Sequence, residues 1–375
     1  MIKVFHVFFA LALIALAAFF IQQYDQKSRA EAIASASEEL TLTRDIRVAQ
    51  LKSEVKTFYS EVSFWVESKT LRDTMQTLLA SWYDLSFAPK IRARQLYIEN
   101  NPLFPHYSAN FVNAGDGSEY SNTHEKLHKL LKTLTKRRGY YDVFVIANNG
   151  DVVYSVYKED DFGTNLVAGK YKDTGLAIGF REVQDNTSLN HVALTDFKPY
   201  QPSNNAPASF IQTSVVNDKN KTIGTLAFQL PIEPIDKILN STAGLGKGTE
   251  IFAVGSDHFF RKKLENRDDR KVINSDAIEK ALKGETGVEQ FVDYNGVETI
   301  SAYAPFEFSH NILGSTNKNI WAIIVKQDLA EILDPVAEKN KRHLFILLGI
   351  ILISLILAWL FTRGKDDLST TEEEG

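Results

Sequence analysis

The chain has 375 residues, 44% hydrophobic and 24% charged, with a net charge of −5 and no cysteine. That balance argues against a disordered chain, and the lack of a large basic block argues against nucleic acid as a partner. Disulfides are excluded, and a chain of this size can build its core without them.

Val4–Ile21 is an apolar run interrupted only by His6. Its 18 residues come close to the ~20 that a helix needs to cross the hydrocarbon core of a bilayer. Ala15-Leu16-Ala17 offers a signal-peptide cleavage site, but the run continues through Phe19, Phe20 and Ile21, so an uncleaved anchor is favoured. A second run, Leu344–Phe361, softened only by Gly349 and Ser354, predicts a second span. Lys3, Lys27 and Arg29 around the first span, and Lys339, Lys341, Arg342, Arg363 and Lys365 around the second, do not decide orientation. Long domains translocate largely regardless of such charges, so residues 25–340 are expected outside the cytoplasm and the acidic tail inside.

Residues 25–83 read as one long helix. Val48, Leu51, Val55, Phe58, Val62 and Trp65 form a heptad-like seam, which suits either packing along the same domain or a homodimer through this helix. Residues 99–122, with Asn101-Pro102, Pro105 and Gly115-Asp116-Gly117, read as loop, and a helix follows from His124 to Lys136. Tyr141–Ala147 and Val152–Tyr157 read as a hairpin around Asn148-Asn149-Gly150-Asp151. Asp173 is placed to cap a helix to Val183, and strands are expected at His191–Thr195, Ala208–Val216 and Thr222–Leu230.

After a linker at Pro231–Gly248 the order repeats. Strands are expected at Glu250–Val254 and His258–Arg261, then a helix capped by Ser275 and stopped by Gly284. Val288–Asp293 and Val297–Ala304 form a hairpin at Asn295-Gly296, and Ile320–Lys326 is the last strand. Helix follows from Gln327, with a kink or restart expected at Pro335, and Thr362–Gly375 reads as a disordered tail.

Several stretches in this order resemble double-Cache sensor domains of bacterial methyl-accepting chemotaxis receptors and related transmembrane sensors. They are Tyr97–Pro102, Asp116–Tyr120, Gly139–Ile146, Val153–Val156, Lys158–Leu166, Leu194–Tyr200, Gly284–Gly287 and Ser301–Pro305. The resemblance implies an α+β fold with a long N-terminal stalk helix and two tandem PAS-like antiparallel-sheet modules, flanked by two transmembrane helices. The expected divisions are a first span over 1–24, a stalk over 25–93 and a distal module over 94–235. A proximal module over 236–334, a juxtamembrane and second transmembrane helix over 335–362 and a tail over 363–375 complete the chain. It implies binding of an unidentified small ligand in the distal module and signalling across a bacterial inner membrane, without catalysis or cofactor. Members usually continue into HAMP and output modules, whereas this chain ends 14 residues after Phe361, so a separate signalling partner is expected. The amino-acid-binding subset carries an Arg-x-Trp-Tyr element near the pocket; Trp82-Tyr83 lies in the stalk instead, so amino-acid specificity is not expected.

His124-Glu125-Lys126-Leu127-His128 matches the H-E-x-x-H pattern, which on a helix presents two histidines to zinc with Glu125 as base. Such a site needs a third protein ligand, and Lys129–Gly139 holds no His, Asp or Glu, so neither a metal site nor a catalytic site is assigned. The expected distal pocket is instead lined by Tyr154 and Tyr157 from a strand, Asp196 from a strand end, Tyr107 and Tyr120 from the 99–122 loop, and His124 and His128. Gly244–Gly248 lacks the P-loop ending and reads as linker; Lys132, Lys136, Arg137 and Arg138 read as a solvated helix end, and Arg261-Lys262-Lys263 as exposed. A regulatory subunit of an envelope complex and a zinc peptidase are the alternative functions.

Overall fold

The computed structural model describes residues 2–371 except 107, 187, 189–190, 242–244, 247, 263–271 and 309–318, with side chains described for 12 and from 14 to 357. Helix α1, Ile2–Glu67, is 66 residues long, a rod of about 100 Å at 1.5 Å per residue. Leu51, Val55, Phe58 and Val62 on its seam are buried against the sheets of the same chain. At these four residues the seam is covered by its own domain, the first of the two readings that its spacing allows. The long helix also ends earlier than expected. Ser68 leaves helical geometry and its hydroxyl accepts from the Leu71 N–H at 3.5 Å, starting α2, Lys69–Asp84, as a separate helix. Helix α2 buries Leu71, Met75, Leu78 and Trp82 and packs on the later helix Glu119–Arg138.

A short α3, Pro89–Arg94, runs into a π-helical turn at Gln95–Glu99, and α4 covers Glu119–Arg138. The distal sheet follows with β1 (Asp142–Ile146), β2 (Val152–Ser155), β3 (Val192–Leu194), β4 (Lys198–Tyr200), β5 (Ala206–Val216) and β6 (Thr222–Leu230). Helix α5, Gly175–Asp185, lies between β2 and β3, capped by Thr174 rather than the neighbouring Asp173. The strands are ordered β2-β1-β6-β5-β3, with β4 also on β5, and every pairing is antiparallel.

The expected linker contains a helix, α6 (Glu233–Leu239), whose Ile235 and Leu239 are buried. The proximal sheet is β7 (Glu250–Gly255), β8 (Gly287–Val292), β9 (Glu298–Glu307) and β10 (Ile320–Asp328), ordered β7-β10-β9-β8. The strand expected at His258–Arg261 is reduced to one bridge, Val254 to Phe260. With that bridge in the place of β2, the two sheets share one strand order, which is the PAS-like repeat. Helix α7, Asp276–Leu282, is capped by Ser275 as expected, and Gly284 follows it at φ +93°.

Alternation along the strands gives each sheet two apolar faces. One face of both sheets joins α1 in a continuous core that includes Val143, Val145, Ile211, Phe228, Ala302 and Ile323. The other distal face packs Phe144, Phe210 and Tyr200 against α5; the other proximal face packs Val254 and Ile324 against α7.

Helix α8, Leu329–Thr371, runs without interruption through Pro335 and on through the segment expected to be disordered, as far as Thr371. Pro335 lies inside the helix, in its second turn, where the missing N–H removes one i→i−4 bond, to the Glu331 carbonyl. Among the described residues one stretch, Leu329–Leu357, is long and apolar enough to cross a membrane, and none of it is buried. The first apolar run is helical within α1, and its Ile14, Leu16, Phe19 and Phe20 are exposed. The two helices meet in antiparallel sense, with Tyr24 beside His343 and the Asn340 amide donating to Asp25 at 2.5 Å.

Candidate functional site

Helix α4 opens with Ser118 accepting from the Ser121 N–H at 3.1 Å and closes at Gly139, left-handed at φ 75°. Its buried stripe is Tyr120, His124, Leu127, His128 and Leu131, the 3–4 spacing of one helical face. A bulge in β2 between its pairings turns Tyr154 to the same side as Val145, toward α4. Four of the expected site residues, Tyr120, His124, His128 and Tyr154, therefore meet in one buried cluster.

The hydrogen bonds fix their protonation. His128 Nε2–H donates to the Ala109 carbonyl at 2.8 Å, leaving Nδ1 to accept the Tyr154 hydroxyl at 2.8 Å. His124 Nδ1–H donates to the Val112 carbonyl at 2.8 Å, and its buried Nε2 has no partner among the described residues. Tyr120 donates to the Val153 carbonyl at 2.7 Å. Burial and the nearby Lys158 ammonium push His124 well below the usual imidazole range, and push His128 down to about 2. Both rings are neutral at physiological pH.

Lys158, missed by the sequence reading, lies fully buried beside them at φ 53°. Its ammonium donates to the carbonyls of Ser155 at 2.9 Å and Val156 at 3.3 Å and sits 5.0 Å from the Tyr154 ring centroid. Burial pulls its pKa down to about 7, opposed by the charge of Asp142.

The H-E-x-x-H pattern splits between the two sides of α4, its histidines buried and its glutamate toward solvent. Glu125 turns outward to Lys129 at 2.6 Å and Asn113 at 3.0 Å. Among the described residues no group of three His, Cys, Asp or Glu side chains is placed to hold a metal ion. Tyr157 is 41% exposed, its ring tilted on Tyr141 with centroids 5.7 Å apart, so it stands at the rim rather than in the cluster. Tyr107 lies outside the described residues.

Asp196 is elsewhere. Its carboxylate takes Arg261 Nε at 3.0 Å and Nη2 at 2.6 Å, the Trp321 indole N–H at 2.9 Å and the Phe197 N–H at 2.7 Å. Arg261, expected to be exposed, is 3% exposed and also bonds to Asp257 at 2.8 Å. Burial alone would lower the pKa of Arg261, but its bonds and attraction to Asp196, then to Asp257, outweigh it and raise the pKa. The pair joins the distal β3–β4 turn to the proximal module, under Phe197, Phe308 and Trp321. Asp196 thus fastens the two modules and has no free oxygen facing the α4 cluster.

The opposite face of the distal sheet holds a second polar group that the sequence reading did not single out. Asp142 shares the face of Phe144, two residues on. It is fully buried and accepts backbone N–H groups from Val143 at 2.6 Å, Val156 at 2.7 Å and Tyr157 at 3.4 Å. The segment after β2 folds over this face and brings Glu159 and Asp161 to it. Arg94 anchors the fold-over, donating to the Phe162 carbonyl at 2.7 Å. Asp161 accepts the Tyr200 hydroxyl at 2.5 Å; Glu159 accepts Tyr141 at 2.7 Å and Ser203 at 2.6 Å. Gln229, opposite Asp142 in the sheet register, donates to Ser203 at 3.2 Å. Burial first, with carboxylate–carboxylate repulsion added, raises Asp142 well above the carboxylate range and Asp161 to about 7. Burial also raises Glu159, with the hydroxyls of Ser203 and Tyr141 opposing. The only signal available beforehand was the acidic run Glu159-Asp160-Asp161 next to a strand.

Two PAS-ordered sheets on one long helix, with a buried polar face under a fold-over segment in the first, define a tandem sensor module. The Cache domain model for double-Cache proteins matches residues 28–336, and the chain belongs to that family. The family is one of extracellular sensor domains. A probable chemoreceptor of Sinorhizobium fredii is 22% identical over 245 residues, covering 64% of this chain and 28% of that protein, so the chain spans little more than a quarter of that relative. A domain of a sensory box/GGDEF family protein from Vibrio parahaemolyticus superposes with a TM-score of 0.50 at 11% identity, covering 80% of this chain and 99% of that one. The ligand-binding domain of a Campylobacter jejuni chemoreceptor, crystallised with L-valine, gives a TM-score of 0.43 at 12% identity, covering 81% of this chain and 97% of that one.

Proposed function

We propose that the chain is a two-span membrane protein that senses a small extracytoplasmic ligand in its distal module and passes the signal along α1 and α8 to a separate partner protein. Residues 25–340 stand outside the cytoplasm and the tail inside. The observation that carries this reading is the buried carboxylate of Asp161, held between the distal sheet and its fold-over segment with one oxygen unpartnered among the described residues. A buried polar atom without a partner costs free energy that a bound ligand can recover.

The path to the membrane is continuous. The stalk packs on β5 of the distal sheet and on β9 and β10 of the proximal sheet, and Arg44 donates to the Gly287 and Tyr303 carbonyls at 2.9 and 3.2 Å. Strand β10 leads directly into α8, which meets α1 again at Asp25–Asn340. A ligand that binds the two arrangements of this helix pair unequally shifts their equilibrium. The exposed apolar surface of α8, including Phe345, Ile346 and Ile350, suits lipid and a partner helix.

The test uses the absence of native cysteine. Asp25→Cys with Asn340→Cys is crosslinked in membranes with and without a mixture of small metabolites, and a reporter is inserted near Lys219. An extracytoplasmic reporter and a ligand-dependent crosslinking rate support the reading. A cytoplasmic reporter, or a rate that no metabolite alters, overturns it.

A further inference from the structure

A groove runs between the stalk and the C-terminal half of α4, on the side of the distal module away from its acidic face. We propose that this groove is a second binding site, which takes a small organic anion, a carboxylate on an aromatic or apolar body.

The groove has a volume of about 640 Å³, within the roughly 300–1,000 Å³ of small-molecule sites. Its floor is apolar, with Phe64 and Trp65 from α1 and Leu130 and Leu134 from α4. Leu134 is buried, and Trp65 and Leu130 pack on the core. Phe64 is 67% exposed and stands edge-on to Trp65 with ring centroids 5.6 Å apart. A single exposed ring is ordinary on a protein surface, but this one continues the floor of a concave site.

The charge of the groove is one-sided. Lys56 from α1 and Arg137 and Arg138 from the end of α4 line it, against the single carboxylate of Glu61. Both oxygens of Glu61 are occupied: one accepts the Tyr140 hydroxyl at 2.5 Å and the other pairs with Arg138. Among the described residues neither Lys56 nor Arg137 has an ion pair. Cations in the last turn of α4 suit its dipole, which accounts for Arg137 and Arg138 as a helix end. It does not account for Lys56, which the stalk brings to the same groove, nor for the aromatic floor between the charges.

An anion supplies what the groove lacks, and the planar fork of Arg137 matches a carboxylate. A cationic ligand would add like charge. A lipid headgroup is out of reach, because Ser53–Trp65 lies about 50–65 Å along α1 from Ile21, the last residue of the first apolar run, at about 1.5 Å per residue. A second copy packed isologously on the groove would bring its own Lys56 and Arg137 toward these. A bound anion touches the stalk and the distal module at once.

The full chain in mild nonionic detergent is titrated with phenylpropionate, phenylpropanol and phenylpropylamine, three probes with one apolar body and different heads, against protein-free micelles. Calorimetry gives the affinity, and tryptophan emission reports the site, because Trp65 lines the groove while Trp82 and Trp321 are fully buried elsewhere. Saturable binding of the carboxylate is expected below about 10 mM, the weak affinity of a ligand this small, and tighter than that of the alcohol or the amine. Lys56→Gln with Arg137→Gln should weaken it roughly three- to tenfold, the range of two exposed charge contacts, and about 1 M salt should do the same. Phe64→Ala should cost a similar factor through the lost ring contact. All three side chains are exposed, so these variants keep the fold. Lys126→Gln, exposed on α4 outside the groove, should leave affinity unchanged. Trp65→Phe should abolish the emission change while calorimetry still shows binding. No carboxylate binding, equal affinity for the three heads, unchanged affinity in the double variant, or an emission change that survives Trp65→Phe overturns the proposal. A dimer in sedimentation that Phe64→Ala dissociates, with no carboxylate bound, assigns the groove to a second copy and also overturns it.

Discussion

Replacing Arg261 with methionine removes a buried guanidinium while keeping most of its apolar stem. The side chain makes four hydrogen bonds, two to Asp196, one to Asp257 and one, at 2.8 Å, to the Phe259 carbonyl. Without it, Asp196 stays buried with only the Trp321 indole and Phe197 amide as donors. Breaking a buried pair on one side costs about 3–5 kcal/mol, because the remaining charge is left uncompensated. Asp196→Asn in the same chain removes that charge but keeps an oxygen for Trp321, so the double variant should recover about half of the loss. Urea denaturation of the full chain in mild detergent measures both values. Hydrogen exchange should rise first in β3, β4 and β10, the strands around the pair. A cost below about 1 kcal/mol for Arg261→Met, with no recovery in the double variant, would refute the reasoning, since that is the behaviour of an exposed pair.

Asp161→Asn should stabilise the ligand-free protein at neutral pH. Asp161 is raised to about 7, so the folded state holds a proton that the unfolded chain releases between about pH 4 and 7, and wild-type stability falls across that window by up to about 4 kcal/mol. Thermal melts at pH 4, 5.5 and 7 should show the two proteins diverging as pH rises; parallel curves would count against the buried carboxylate. The histidines act in the opposite sense. His128 is held down to about 2, so below about pH 6.5 the unfolded chain takes up a proton that the fold refuses, at about 1.4 kcal/mol per pH unit, and His128→Gln should flatten the acid limb. Glu125→Gln should leave stability within about 0.5 kcal/mol and should not alter metal content measured by atomic absorption, because Glu125 contacts only the exposed Lys129 and the half-buried Asn113, whose amide can still donate to the Gln oxygen. Leu51→Ala should cost about 2–5 kcal/mol without changing the sedimentation behaviour of the chain, because Leu51 packs into its own domain.

The sequence by itself determined the order of elements and the membrane-length apolar runs, because these depend on neighbours within a few residues. The Asn295-Gly296 hairpin, the Ser275 cap, the strand alternation and the repeat of the two modules are all local patterns. It also put four of the expected site residues where they meet in one buried cluster, since the spacing of Tyr120, His124 and His128 places them on one face of α4. Only the tertiary structure decided which polar groups are buried and with whom. Arg261 in a basic triplet reads as solvated until Asp196, 65 residues away, is laid against it. Glu159-Asp160-Asp161 reads as a charged loop until the chain folds it over β1, where Asp160 turns out to Lys170 and Asp161 turns in to Tyr200. The seam of α1 could not reveal whether its own sheets or a second chain covers it. The same apolar spacing buries equally well against either, and only the placement of the two sheets along the stalk makes the choice.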